Sequence, residues 1–234
     1  MYSFNSRVRY SEVNKDKKLD LTSIINYFQD CSTFQSEDIG MGLSYLENRN
    51  RIWLLNGWQI QVNRYPSLGE TITTGTWAYD FKSMYGYRNF IIKDSNNEIC
   101  AAANSIWVLL DTLTRRPVRI TDDDIGRYYM EEKYDMEYAP RKIPIPENLK
   151  NYDSFTVVRS NIDTNDHVNN GQYIKMAEEY LPLGFKIRQL RAEYRMSAVL
   201  GDTIVPMVSE KKNLCSVVLA DTNGNPYTII EFER

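Results

Sequence analysis

An α+β fold made of two copies of one unit is predicted by three observations along the 234 residues. They are a weak internal repeat, one long amphipathic helix in each copy, and a run of period-two strands after each helix. Arg9 to Asp30 (RYSEVNKDKKLDLTSIINYFQD) and Arg159 to Tyr180 (RSNIDTNDHVNNGQYIKMAEEY) lie at an offset of 150. Both pass from a short extended segment through a polar patch into a helix. Leu68-Gly69-Glu70-Thr71-Ile72 returns as Leu200-Gly201-Asp202-Thr203-Ile204, at an offset of 132, so the second copy is shorter by 18 residues between helix and turn.

In the first helix Leu21, Ile24, Ile25 and Phe28 recur at i, i+3, i+4 and i+7, one buried stripe. Asp20 is placed to cap its start and Gly40 to end it. In the second helix Tyr173, Ile174, Met176, Ala177, Tyr180 and Leu181 make the apolar face, and Pro182 and Gly184 stop it. After each helix the period falls to two. Trp58, Ile60 and Val62 alternate with Gln59, Gln61 and Asn63, and Leu190, Ala192, Tyr194 and Met196 alternate with Arg191, Glu193, Arg195 and Ser197. These are half-buried strands. Further strands are expected near 71–79, 85–93 and 98–110, and near 203–210, 214–220 and 227–232. Residues 1–120 then form an N-terminal domain and 151–234 a C-terminal one. Residues 121–150, with Pro140, Pro144 and Pro146, read as a linker with a short helix around 125–133. A curved antiparallel sheet wrapped around one helix satisfies each copy.

Composition narrows the function. With 28 basic and 31 acidic side chains the formal charge is −3, so no excess positive charge draws the chain to nucleic acid or to an anionic membrane. No apolar run approaches the roughly 20 residues of a bilayer crossing. The first residues lack the apolar core of a secretory signal, which points to the cytoplasm. Cys31, Cys100 and Cys215 are far apart and outside any CxxC pair, giving neither a metal site nor a disulfide framework. There is one histidine, His167, and any imidazole chemistry must use it.

His167 lies in Asp163-Thr164-Asn165-Asp166-His167-Val168-Asn169-Asn170, which joins the extended entry to the second helix. In an extended stretch Asp163, Asn165 and His167 would project to one side. Imidazole exchanges protons near neutral pH, a carboxamide can fix a water or a carbonyl, and a carboxylate can orient either. Asn169 or Asn170 could cap the helix, and amides near Val168 and Asn169 could face an oxyanion. The competing reading is an Asx-rich cap and turn with no chemistry. At the repeat offset the first copy has Val13, Lys15 and Lys17 instead, an asymmetry that favours chemistry. GxSxG elbows, glycine-rich phosphate loops and dinucleotide fingerprints are absent.

The D-x-N-x-H-V-N-N core, together with Asn63-Arg64-Tyr65-Pro66, Gly69-Glu70-Thr71, Thr112-Leu113-Thr114-Arg115-Arg116-Pro117 and Glu193-Tyr194-Arg195, resembles the acyl-ACP thioesterases of plant plastids and bacteria. The resemblance implies a tandem (double) hot-dog fold. It also implies hydrolysis of the thioester between a fatty acyl chain and the phosphopantetheine arm of acyl carrier protein, with no cofactor and no metal. The family's catalytic aspartate, asparagine and histidine carry over to Asp163, Asn165 and His167. Where the family commonly has a glutamate, and in plant members a cysteine, this chain has Ser197 and Ala198. A cysteine nucleophile is excluded there, and a second carboxylate must come from Glu193 or another acid. The resemblance places the acyl chain in the N-terminal domain, where Ile24, Ile25, Phe28, Trp53 and Trp58 are candidate lining residues or ordinary core. Arg115, Arg116 and Arg119, or Lys186, Arg188 and Arg191, are candidate docks for the acidic carrier. The chain is expected as a monomer or homodimer. The rival expectations are an acyl-CoA thioesterase, a hot-dog hydratase and a non-catalytic acyl-binding protein.

Overall fold

Asp20 caps the first long helix, its carboxylate accepting the Ser23 amide at 2.6 Å, and α1 runs Leu21–Asp38. Gly40 takes the left-handed φ of +69° just beyond the helix end, as expected of a residue without Cβ. Leu21, Ile24, Ile25 and Phe28 are all buried. Each such side chain contributes about 1.5–3 kcal/mol by leaving water.

The computed structural model describes all 234 residues and divides them into two units, 1–56 with 60–138 and 57–59 with 139–234. The first unit holds β1 (Tyr2–Arg7), α1, α2 (Leu43–Asn48), β2 (Arg51–Val62) apart from residues 57–59, β3 (Thr71–Lys82), β4 (Tyr85–Asp94), β5 (Ile99–Asp111), β6 (Arg116–Pro117) and α3 (Asp122–Ile125). Its sheet order is β1-β3-β4-β5-β2, with β6 on β5. The face carrying Thr74 meets α1, where the Cys31 thiol donates to the Thr74 carbonyl at 3.6 Å and the Phe28 and Phe90 rings lie 5.1 Å apart. This interior is not uniformly apolar. Arg88 is buried with Gln35 and Thr76 as hydrogen-bond partners and its guanidinium 5.4 Å from the Tyr128 ring centre. No carboxylate pairs with it, and burial pulls its pKa down.

The second unit holds β7 (Lys150–Asn151), β8 (Phe155–Thr156), α4 (Asn170–Glu178), β9 (Gln189–Tyr194), β10 (Thr203–Lys211), β11 (Leu214–Ala220) and β12 (Pro226–Glu233). Its strands run β9-β12-β11-β10-β7 as antiparallel neighbours, with β8 on β10. α4 packs on β11 and β12. It stops three residues before Leu181, because the chain leaves the helix through a turn at Glu179 and Tyr180 ahead of Pro182.

The segment read as a linker is a packed strap. Its helix is α3, earlier than the expected 125–133, because Asp124 closes a cap on the Thr121 amide and hydroxyl at 2.8 and 2.7 Å. In the first unit the strap covers the sheet face opposite α1. Trp77 Nε1 donates to the Glu132 carbonyl at 2.8 Å, and Asn89 Oδ1 accepts from the Tyr134 amide and the Tyr138 hydroxyl at 3.0 and 3.1 Å. In the second unit Ile143 packs with Val218, Ala220 and Ile229. The Ala139 amide donates to Gln59 Oε1 at 2.9 Å and the Ile143 amide to Glu193 Oε2 at 2.7 Å. Gln59 and Glu193 sit on strand positions expected to face solvent, yet they and Asn89 are buried, since all three satisfy the strap's backbone.

Candidate active site

A turn of 3-10 helix at Arg159–Asn161 leads into the loop that carries His167. Ile162 and Val168 pair across its base as an antiparallel bridge. Within it the Asp163 amide donates to the His167 carbonyl at 2.8 Å, and the Asp166 amide to the Asp163 carbonyl at 3.2 Å. Asp163 Oδ1 accepts the Asn165 amide at 2.8 Å, and Asp166 takes a φ of +59°. The extended stretch expected here is thus a tight Asx turn, because Asp163 bonds its own backbone two residues on. Asp163 and His167 are half-buried and Asn165 is exposed. No protein hydrogen bond engages the imidazole or the Asn165 carboxamide, so both are available to a ligand or to water.

The first repeat folds into the same loop, and its hydrogen bonds correct the repeat offset to 149. Val13 and Leu19 form the bridge, the Asn14 amide donates to the Lys18 carbonyl at 2.8 Å, Asn14 Oδ1 accepts the Asp16 amide at 2.9 Å, and Lys17 has the φ of +59°. The counterparts of Asp163, Asn165 and His167 are therefore Asn14, Asp16 and Lys18, not Val13, Lys15 and Lys17. Turn formation is common to both copies and explains an Asx residue at position 163. It does not explain an imidazole at 167. Asp163→Asn should keep the turn, as Asn14 does, and leave the unfolding midpoint unchanged. Asp163→Ala should cost about 1 kcal/mol in chemical denaturation. Equal loss in both variants would remove the turn role from Asp163.

Asn169 is the N-cap of α4, its side chain accepting the Gly171 amide at 2.8 Å. The two amides expected to face an oxyanion are already engaged. Val168 N–H donates to the Ala198 carbonyl and Asn169 N–H to the Asn161 carbonyl, both at 2.9 Å. Gln172 and Tyr173 donate to the Asn169 carbonyl at 2.9 and 3.4 Å. From Val168 to Tyr173 the one amide without a protein acceptor is Asn170, the first residue of the helix. Which first-turn amide stays free depends on acceptors outside the helix, at Ala198 and Asn161, which the helix pattern does not reveal. The Asn170 carbonyl is held by the Tyr194 hydroxyl at 3.0 Å.

Ser197 is exposed on the loop after β9. Glu193, the expected alternative carboxylate, is buried against the strap, accepting from Ile143 N–H and pairing with Arg195 at 3.1 Å. Alternation along β9 turns Glu193 away from the face on which Tyr194 reaches α4. Glu193→Gln should therefore leave kcat unchanged while lowering stability by about 1–3 kcal/mol, read by thermal or urea unfolding. A collapse of kcat with stability intact would put Glu193 back in the site.

Among the candidate lining residues, Ile24, Ile25 and Phe28 have no accessible surface and Trp58 has 3%, whereas Trp53 is half-buried against Phe81, ring centres 6.2 Å apart. Arg115, Arg116 and Arg119 are exposed without ion pairs. In the other basic group Arg191 is tied to Glu231 at 2.7 Å and to the Pro140 carbonyl at 2.8 Å. Glu70, Asp94 and Cys100 come within 4.8 Å of one another, but the Arg64 guanidinium bonds all three, at 2.6, 2.8 and 3.2 Å.

The family models for the acyl-ACP thioesterase N-terminal domain and C-terminal domain match residues 1–128 and 146–230. The chain is 26% identical over 208 residues to the chloroplastic palmitoyl-acyl carrier protein thioesterase of Arabidopsis thaliana, covering 82% of this chain and 50% of that protein. It is also 26% identical over 239 residues to oleoyl-acyl carrier protein thioesterase 1 of the same plant, covering 93% and 65%. The chain thus spans about half the length of the first of these relatives. Two solved structures share its double hot-dog fold. An acyl-ACP thioesterase from Bacteroides thetaiotaomicron superposes with a TM-score of 0.91 at 22% identity, covering 99% of this chain and 96% of that one. The 12:0-ACP thioesterase from Umbellularia californica gives 0.87 at 21%, again covering 99% and 96%. No helix is long and apolar enough to cross a membrane.

Proposed function

Starting from a chain that belongs to the acyl-ACP thioesterase family, we propose that it hydrolyses the thioester of a fatty acyl chain carried on acyl carrier protein, releasing free fatty acid. The observation that carries this reading is a pinned turn that leaves an imidazole and a carboxamide unengaged and leads directly into α4, whose first amide, Asn170, is open. His167 takes a proton from water as the water attacks the thioester carbonyl. Asn165 positions that water or the carbonyl, and Asp163 stabilises the imidazolium. The Asn170 amide, at the positive end of the α4 dipole, receives the oxyanion. Collapse of the tetrahedral intermediate expels the thiolate of the phosphopantetheine arm, which His167 reprotonates. Thiols leave readily, so activation of water is the demanding step and a second carboxylate is dispensable.

The acyl chain belongs to the N-terminal unit, with half-buried Trp53 as its accessible wall; Ile24, Ile25 and Phe28, and Trp58 of the other unit, are packed core. Arg115, Arg116 and Arg119 are the dock for an acidic carrier, since Arg191 is already neutralised by Glu231. Three buried free thiols suit a reducing compartment, and we place the reaction in the cytoplasm. The test is release of free thiol from matched acyl-ACP and acyl-CoA of one chain length. Faster turnover of acyl-ACP is expected. Preference for acyl-CoA would make this a coenzyme A thioesterase, and binding of both without thiol release would make it an acyl-binding protein.

A further inference from the structure

The two repeats differ at one buried contact directly behind the His167 loop. In the first, Leu19 N–H donates to the carbonyl of Pro66 at 2.8 Å, and in the second Val168 N–H donates to the carbonyl of Ala198 at 2.9 Å. Ser67 N–H and Val199 N–H, the next residues, are bonded in the same way by Glu70 and Asp202. Ala198 is therefore the counterpart of Pro66. Proline has no N–H, whereas alanine brings a buried donor that must find an acceptor. It finds the hydroxyl of Tyr173, at 2.8 Å. By the offset of 149 the counterpart of Tyr173 is Ile24, which has nothing to bond and nothing that needs bonding. Burial pushes the Tyr173 hydroxyl up to about 12, so it stays neutral and keeps its lone pairs for the amide.

We propose that Tyr173 is a positioning residue: its hydroxyl fixes the Ala198 peptide, the Ala198 carbonyl fixes Val168, and Val168 sets the base of the turn that aims His167. The substitution of Ile24 and Pro66 by Tyr173 and Ala198 turns a packing contact into a hydrogen-bonded strut, in the copy that carries the imidazole. The part of the proposal that concerns turnover rests on the thioesterase reading above, whereas the strut itself does not.

The experiment compares wild type, Tyr173→Ile and the double variant Tyr173→Ile with Ala198→Pro, which rebuilds the pair of the first repeat. Two readouts are taken on each: steady-state thiol release from acyl-ACP, and hydrogen exchange of the Val168 amide. Tyr173→Ile should lower kcat by about 10- to 100-fold, the scale of a small misplacement of a catalytic group, with KM little changed. It should also speed Val168 exchange. Adding Ala198→Pro should restore both, because the unsatisfied donor is gone. Wild-type kcat and exchange in Tyr173→Ile would overturn the proposal. So would a folded double variant that recovers neither. If the wild type releases no thiol while Val168 exchange follows the expected order, the thioesterase reading fails and the strut stands.

Discussion

Replacing His167 by alanine should lower kcat for acyl-ACP by roughly 10²–10⁴-fold, the range for loss of a positioned general base. The chain contains one histidine, so no second imidazole can take over. The side chain makes no hydrogen bond within the protein, and the turn is held by the backbone of Asp163, Asp166 and His167 rather than by the ring. Alanine at 167 should thus leave the fold and the unfolding midpoint intact. KM should change little, because the imidazole acts on water rather than on the carrier or the acyl chain. A fall in kcat of less than about threefold in a folded variant would remove His167 from the proton transfer.

Asn170→Pro should lower kcat by about 10²–10³-fold, the cost of one oxyanion donor, or roughly 3–4 kcal/mol of barrier. The substitution is unusually clean. Proline is favoured at the first position of a helix, where its missing N–H has no helical partner. The preceding residue, Asn169, has φ −59° and ψ 140°, a conformation that a residue before proline adopts readily. The Asn170 carbonyl, which accepts from Tyr194, is retained. Asn170→Ala keeps the amide and removes only the side chain, so it separates the two. Steady-state kinetics of the pair should give near wild-type kcat for alanine and the large loss for proline. Equal losses would assign the role to the carboxamide, and two unchanged rates would move the oxyanion elsewhere.

Much of the fold could be read from periodicity, because the helix stripe Leu21, Ile24, Ile25 and Phe28 and the alternating strands each answer to a single local pattern. What could not be read depended on partners distant in the chain. Nothing local in Asn89, Gln59 or Glu193 distinguishes a solvated strand face from one that receives a strap, so 121–150 reads as a linker. Arg88 is indistinguishable by sequence from a surface arginine, yet it lies inside the first unit against Gln35. The segment 163–170 is legible as an Asx-rich approach to a helix, whereas its shape is not. Alternation of Asp163, Asn165 and His167 suggests an extended run, and only the Asp163 carboxylate's bond to the Asn165 amide makes it a turn. Few identities fix the repeat offset, so the sequence suggests 150 where the hydrogen bonds give 149. Hydrogen bonds fix it firmly, and they show that the first copy is no bare control but the same turn without an imidazole.

Because His167 is the sole imidazole and carries no protein hydrogen bond, chemical modification of the unaltered protein addresses the claim at its centre. Diethyl pyrocarbonate should acylate one imidazole per chain, thiol release from acyl-ACP should fall in proportion to that single modification, and hydroxylamine should restore it. Full turnover by a chain whose one imidazole is completely acylated would contradict the account.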